Sequence, residues 1–138
     1  MYFPMLLPSE IEAKSLIPAV RAILAKKLIK EYSLKEEDVA KVLGITQAAV
    51  SNYVRGTRGD VELISKLESV REVMRMIDDI AEDLSTNKAY TPSTLAKFIG
   101  LCNYMRYTLI ICDVHHSIES NIDETICEQC RGTLVREH

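Results

Sequence analysis

Glycine and proline are scarce in this sequence, with five and four copies among 138 residues. Both residues interrupt helices, and the apolar residues between them recur mainly at three- and four-residue steps. The sequence therefore predicts an all-α fold. Long apolar runs are also missing, since the stretch TLIIC is far shorter than the roughly 20 residues that cross a bilayer. We expect no membrane-spanning helix.

Features of enzymes and of secreted proteins are missing as well. The sequence has no glycine-rich phosphate loop and no paired acid and base, so we expect that the protein is not an enzyme. The first residues, MYFPMLLPSEIEAK, lack the basic start of a secretory signal. We therefore expect a cytoplasmic protein, whose four cysteines stay reduced instead of forming disulfides.

A surplus of positive charge is lacking too, since the formal net charge is −3. The charges are unevenly distributed along the chain. Residues 1–60 contain nine Lys and Arg against seven Asp and Glu, whereas the remaining residues contain eight against thirteen. Nucleic-acid binding requires positive charge near the phosphates and not over the whole chain. The front half therefore remains compatible with a nucleic-acid partner.

Start and stop signals divide the front half into helices. Pro18 suits the first turn of one helix, and Ser33 with Glu36 has the spacing of a capping box that opens the next. Gly44 ends that second helix. Thr46 then caps a third helix, which ends before the stretch RGTRG.

The stretch EEDVAKVLGITQAAVSNYVRG has the residue pattern of two short helices joined by a sharp turn. Such a pair needs a small residue where the helices cross, a residue that tolerates left-handed backbone, and apolar residues facing the core. The residues at those offsets are Ala40, Gly44, Ile45, Val50 and Tyr53. Over about residues 34–56 the stretch resembles the helix-turn-helix of Cro-like and lambda-repressor-like regulators, also known as the xenobiotic-response-element family.

The resemblance implies that the second helix of the pair lies in the major groove of double-stranded DNA. Its outer-face positions are Thr46, Gln47, Ala48, Ser51, Asn52 and Arg55. The amides can pair with the edge of adenine, the alanine can contact a thymine methyl, and the others can reach phosphates or bases. Arg58 would add phosphate contacts, and so would Lys26, Lys27 and Lys30 on the helix that precedes the pair. An adaptor that binds a protein through the same helix pair is the alternative.

Residues 60–84 carry apolar side chains at alternating steps of four and three, the spacing of a heptad seam. The seam consists of Leu63, Leu67, Val70, Met74, Ile77, Ala81 and Leu84. The spacing predicts one long helix, which either packs on its own domain or pairs with a second copy of the chain. Because one helix-turn-helix reads only a few base pairs, we expect a homodimer on a roughly palindromic site.

The four cysteines are Cys102, Cys112, Cys127 and Cys130. Thiols two residues apart can hold one metal centre from a tight turn, and the last pair has that spacing. All four thiols together suit an iron–sulfur cluster, whereas the last three with His115 suit tetrahedral zinc. Core packing is the alternative for the first two thiols, which have apolar neighbours. Spacing alone does not separate the cluster from zinc.

The whole chain is similar to a group of archaeal regulators that join this helix-turn-helix to a C-terminal cysteine cluster. Their pattern is C-x2-C, then C-x2-H, then a final C-x2-C, and Ile99 stands here at the place of the first cysteine. Four thiols remain, which is the number that one cluster requires. The resemblance therefore favours an iron–sulfur cluster, [4Fe-4S], over zinc, and implies a regulator that responds to redox state or oxygen.

These patterns divide the chain into three parts. Residues 1–59 are predicted to form the lambda-repressor-like helix-turn-helix domain, residues 60–90 a long dimerisation helix, and residues 91–138 a cysteine-rich, cluster-binding segment. In the last part Thr91 followed by Pro92 predicts a helix start. Beyond Asp113 the sequence is polar, and we expect irregular structure there.

Overall fold

The structure is a computed structural model and describes residues 6–56, 60–119, 122 and 124–136. All regular secondary structure in these ranges is helical, as the sequence predicts. The helices are α1 (Pro8–Ile11), α2 (Ile17–Lys30), α3 (Glu36–Leu43), α4 (Gln47–Arg55), α5 (Val61–Glu68), α6 (Arg71–Asn87), α7 (Pro92–Tyr107), α8 (Ile110–Ile118) and α9 (Glu124–Arg136). None of these described helices combines the length and the apolar character needed to cross a bilayer.

A π-helical turn, Glu12–Leu16, joins α1 to α2 without a break in the helical path. Pro18 has no N–H to donate, and in a regular α-helix its ring would collide with the carbonyl four residues back. The turn before it is wider, because the Ile17 N–H donates to the Glu12 carbonyl five residues back. Pro18 therefore lies in the first turn of α2, as predicted, although the helix does not start afresh there.

Helices α2 to α6 pack around one apolar core with α2 in contact with each of the other four. Val20, Leu24 and Leu28 on α2 are fully buried. Each such side chain contributes about 1.5–3 kcal/mol when it leaves water. The pair α3 and α4 packs on this central helix, so the position of α4 is fixed by the core.

The prediction of one long helix over residues 60–84 is wrong, because the chain breaks between α5 and α6. Ser69 ends α5, and its Oγ donates to the Lys66 carbonyl at 2.6 Å. Val70 is extended, with φ −94° and ψ 107°, and starts α6. The seam residues on both helices face the chain's own core, where Leu67 and Ile77 are fully buried. The apolar seam is therefore used within the chain and is not a free surface for a second copy.

Helices α7, α8 and α9 form the back of the molecule, with α7 packed along α6 and in contact with α8 and α9. Thr91 caps α7 as predicted, since its Oγ1 accepts a hydrogen bond from the Thr94 N–H at 3.2 Å. Leu109, which is left-handed with φ 64°, turns the chain from α7 into α8. The irregular structure expected beyond Asp113 is wrong, because α8 and α9 are helical.

Polar contacts attach the segment before α2 to the back of the molecule. The Glu12 carboxylate is buried and accepts hydrogen bonds from Arg106 on α7, with the Nη2 to Oε2 distance at 2.9 Å and Nε donating to Oε1. The Leu6 N–H donates to Glu119 Oε1 at 2.6 Å. The segment before α2 is therefore attached to both α7 and the end of α8.

Candidate nucleic-acid interface and cysteine cavity

The turn between α3 and α4 has the backbone that its sequence predicts. Gly44 is left-handed, with φ 66° and ψ 35°, and ends α3. Thr46 caps α4, since its Oγ1 accepts a hydrogen bond from the Ala49 N–H at 3.0 Å. Val50 and Tyr53 are buried against the core. Local backbone and core packing together therefore set the orientation of α4.

The start of α3 differs from the prediction. Ser33 has left-handed backbone, with φ 58°, and Lys35 is the residue at the helix start, without a side-chain hydrogen bond to the first turn. The predicted capping box of Ser33 and Glu36 is therefore wrong. The first turn instead carries three acidic residues, whose charges are favourable at the positive end of the helix dipole.

The side chains predicted to face DNA reach the outer surface of α4. The exposed ones are Thr46, Gln47, Ala48 and Arg55, and the half-buried ones are Ser51 and Asn52. No residue of α4 is acidic. Arg58, the seventh predicted contact, lies outside the residues that the structure describes.

Arg55 lies back along α4 towards the preceding turn. Its Nη2 donates to Ser51 Oγ, and its Nε donates to the Ser51 carbonyl at 3.4 Å. These contacts hold the guanidinium over the outer face of the helix and not away from it. A cation in this position can donate to phosphate oxygens or to base edges.

One lysine predicted to contact phosphates is already engaged within the fold. The Lys27 Nζ lies 2.6 Å from Asp78 Oδ1 on α6 and 3.3 Å from Glu31 Oε2. Partial burial opposes the charge of Lys27, but its hydrogen bonds to Asp78 and Glu31 together outweigh burial and raise its pKa. Lys27 therefore joins α2 to α6 through its ion pair with Asp78. This position conflicts with the prediction that Lys27 contacts DNA.

Two short helices joined by a left-handed glycine, with a polar outer face on the second, have the geometry of a helix-turn-helix. Residues 26–70 match the helix-turn-helix family model. The match runs from within α2 through α5 and supports the Cro-like and lambda-repressor-like resemblance of the front half. No curated protein and no solved structure matches the chain. The resemblance to archaeal regulators with a cysteine cluster stays a prediction.

The four cysteines do not come together in the fold. Cys102 lies on α7, where burial and then the charge of Glu12 raise the pKa of its thiol, opposed by Arg106. Cys112, Cys127 and Cys130 instead line one cavity, which is bounded by the segment before α1, by α8 and by α9. The four-thiol site that the cluster prediction requires is therefore not assembled.

The cavity has a volume of about 320 Å³ and mainly apolar walls. Burial, followed by the nearby thiols of Cys130 and Cys127, raises the pKa of Cys112 to about 11. In the absence of a bound metal, Cys112 is therefore a neutral thiol at neutral pH. Cys127 is buried, and its Sγ lies 3.4 Å from the Nε2 of His116.

The predicted zinc ligands border this cavity but are not gathered around one point. Among the described side chains, no group of three or more His, Cys, Asp or Glu is placed to hold a metal ion. The Nε2 of His115 is buried 3.3 Å from Glu119 Oε2 and makes no hydrogen bond to the described residues. The iron–sulfur cluster and zinc remain predictions without structural support.

His116 also lines the cavity, and it is not among the ligands that the cysteine spacing predicts. It lies on α8, and its partner Cys127 lies on α9. The spacing of the two residues gives no signal for this contact, because the contact depends on how two helices fold against each other. The adjacent His115 also lines the cavity, and its Nε2 lies 3.3 Å from Glu119 Oε2.

Proposed function

We propose that this protein is a sequence-specific DNA-binding regulator of transcription, without enzymatic activity, that acts in the cytoplasm. The main support for this proposal is the outer face of α4. Its side chains are polar or small, none is acidic, and it belongs to a segment that matches the helix-turn-helix family model. This chemistry suits the edges of bases and the phosphates of DNA.

In the proposed complex, α4 lies in the major groove. Gln47, which is exposed in the first turn of α4, pairs with the N6 and N7 edge of adenine, and Ala48 beside it contacts a thymine methyl. Thr46 and Arg55, near the two ends of the helix, reach the phosphates. The base contacts determine which sequence is bound, and the phosphate contacts fix the position of the protein along the duplex.

Electrophoretic mobility shifts with genomic DNA fragments test the proposal. A regulator binds selected fragments, and its affinity falls steeply with salt. Gln47→Ala should weaken binding to a selected fragment by about 1–3 kcal/mol and relax the preference for it. Arg55→Ala should weaken binding to all fragments alike and lower the salt slope by about one. Gln129→Ala on α9 and Arg71→Ala on α6, both at exposed positions, are the matched controls.

The adaptor alternative predicts different results in the same assay. An adaptor binds no fragment selectively, and neither Gln47→Ala nor Arg55→Ala changes its mobility shift. Equal loss of binding in the α4 variants and in their controls would also contradict the proposal, because it would place the effect outside α4.

We also propose that two copies bind one roughly palindromic site. The support is the small size of a single recognition helix, which reads only a few base pairs. The apolar seam of α5 and α6 gives no support, because it is buried within the chain. Sedimentation of the protein on a selected DNA fragment measures the number of copies, and one copy at saturation contradicts this part of the proposal.

Redox sensing through an iron–sulfur cluster is not part of the proposed mechanism, since the thiols do not fit a four-cysteine site. Iron, sulfide and zinc analysis of anaerobically purified protein tests the prediction separately. Stoichiometric iron and sulfide that depend on Cys102 would support the cluster prediction. Metal-free protein that still binds DNA would contradict it.

A further inference from the structure

The cavity between the segment before α1, α8 and α9 has the form of a small-molecule site. Its volume of about 320 Å³ lies at the lower end of the range for such sites, which is about 300–1,000 Å³. Large apolar side chains on its border remain in contact with water, since Leu7 is 62 % exposed and Ile126 is 37 % exposed. Exposed apolar side chains around a concavity favour the binding of an apolar molecule.

One wall of the cavity carries a thiol paired with an imidazole. The 3.4 Å between Cys127 Sγ and His116 Nε2 is within hydrogen-bond reach for sulfur. In the tautomer whose Nε2 carries no proton, the imidazole accepts the hydrogen bond of the thiol and is placed to act as its base when the sulfur attacks. Cys127 is 8 % exposed and lines the cavity, so a reagent that enters the cavity meets its sulfur.

The other thiols are in different surroundings. Cys112 borders the same cavity, but its raised pKa of about 11 keeps it protonated. Cys130 lies one helical turn beyond Cys127 on α9 and lines the cavity as well. Cys102 lies outside the cavity, beside Glu12 and Arg106. The reactivity of Cys127 can therefore be compared with that of the other cysteines in the same chain.

We propose that this cavity binds a small, largely apolar electrophile of the α,β-unsaturated carbonyl class and that Cys127 adds to it. His116 Nε2 accepts the proton from Cys127 Sγ, and an electron pair of the sulfur forms a bond to the β-carbon. The carbon–carbon π bond breaks, and its electrons move to the α-carbon, which takes the proton from His116. The product is a thioether, and the step needs no further reactant.

Competition between two maleimides of different polarity tests this inference. N-phenylmaleimide is apolar, and maleimidopropionic acid carries a negative charge. Peptide mass mapping after a timed, denaturing quench gives the labelling rate of each cysteine. N-phenylmaleimide should label Cys127 before Cys102, and this preference should be smaller with the charged reagent. Cys102→Ser should leave the rate at Cys127 unchanged.

Variants of the cavity test separately the role of His116 as a base and the binding of an apolar molecule. His116→Gln should lower the labelling rate of Cys127 by up to about a hundredfold, the usual contribution of a positioned base, whereas His115→Gln should not. Ile126→Lys, at the border of the cavity, should slow the apolar reagent more than the charged one. Circular dichroism shows whether each variant keeps its helices, and the Ile126 variant keeps the test valid if His116→Gln unfolds.

Several results would overturn the inference. They are equal labelling of Cys127 and Cys102 by both reagents, a rate at Cys127 that does not respond to His116→Gln in folded protein, and one bound metal ion per chain that is released when Cys127 is labelled. None of these readouts involves DNA, so the inference can fail while the proposed function stands.

Discussion

The front and the back of this molecule are organised in different ways. In the front, α2 to α6 enclose a continuous apolar core, and the outer face of α4 is set by residues close in sequence, Gly44 and Thr46. In the back, the helices leave a cavity, and its chemical groups, Cys127 and His116, meet only where α8 and α9 converge. The difference teaches that a local sequence pattern can predict a recognition surface, whereas a cavity depends on long-range packing.

Truncation of one core side chain in each region should give the largest difference between the front and the back in the free energy of unfolding. Ile77 on α6 is fully buried, so Ile77→Ala should lower the free energy of unfolding by about 4 kcal/mol. Leu134 on α9 borders the existing cavity, and Leu134→Ala should cost only about 2 kcal/mol because less packing is lost. Urea denaturation measures both values. Equal losses would contradict the difference between the filled core around Ile77 and the cavity beside Leu134.

The ion pair between Glu12 and Arg106 tests how strongly the front is attached to the back. Arg106→Ala leaves the buried Glu12 carboxylate without its guanidinium, so it should lower the free energy of unfolding by about 3 kcal/mol. Lys97→Ala on the same helix, whose amine pairs with Asp83 near the surface, should cost less than about 1 kcal/mol. A double variant, Glu12→Gln with Arg106→Ala, should lose less than the sum of the single losses.

Two glycines without close neighbours provide a smaller and more local comparison. At both Gly44 and Gly100 an added Cβ would meet nothing within 4 Å, so only the backbone is tested. Gly44→Ala places alanine at φ 66° and should lower the free energy of unfolding by about 1–2 kcal/mol. Gly100→Ala lies inside α7 and should raise it by about 0.5–1 kcal/mol. Changes of the same sign would contradict the left-handed turn before α4.

Cys112 predicts a pH dependence confined to the back. The unfolded thiol ionises near its ordinary pKa of 9.0, whereas burial keeps the folded thiol protonated up to about 11. Its stabilising contribution is therefore complete below about pH 9 and is lost as the pH rises to about 11. The stability advantage of the natural protein over Cys112→Ala should shrink across that window. The advantage over Val114→Ala, a change on the same helix without a titrating group, should stay constant.

The predicted parts of the fold are those that neighbouring residues determine. Gly44 and Thr46 are recognisable because a left-handed turn and a helix cap each require particular residue types. Thr91 and Pro92 start α7 for the same reason. These requirements act over a few residues, so the sequence alone was sufficient for them.

The parts that could not be predicted depend on packing between distant segments. The seam over residues 60–84 has the same spacing in one helix as in two that face the same core, so the break at Ser69 and Val70 leaves no trace in it. The cysteine spacing likewise does not show that Cys102 lies beside Glu12, which is far away in the sequence. The two ligand sets remain predictions, since three of the thiols line one cavity whereas Cys102 lies apart from it.

The contact between the Leu6 N–H and Glu119 also bears on how the protein forms during synthesis, because the two residues are 113 positions apart. The ribosome releases a chain from its N-terminal end, and parts that are complete can fold first. Helices α2 to α6 end at Asn87, so they are released before Glu119 and can begin to pack without it. The cavity can close only after α8 and α9 emerge, so a nascent chain could carry a finished helix-turn-helix before any molecule can enter the thiol cavity.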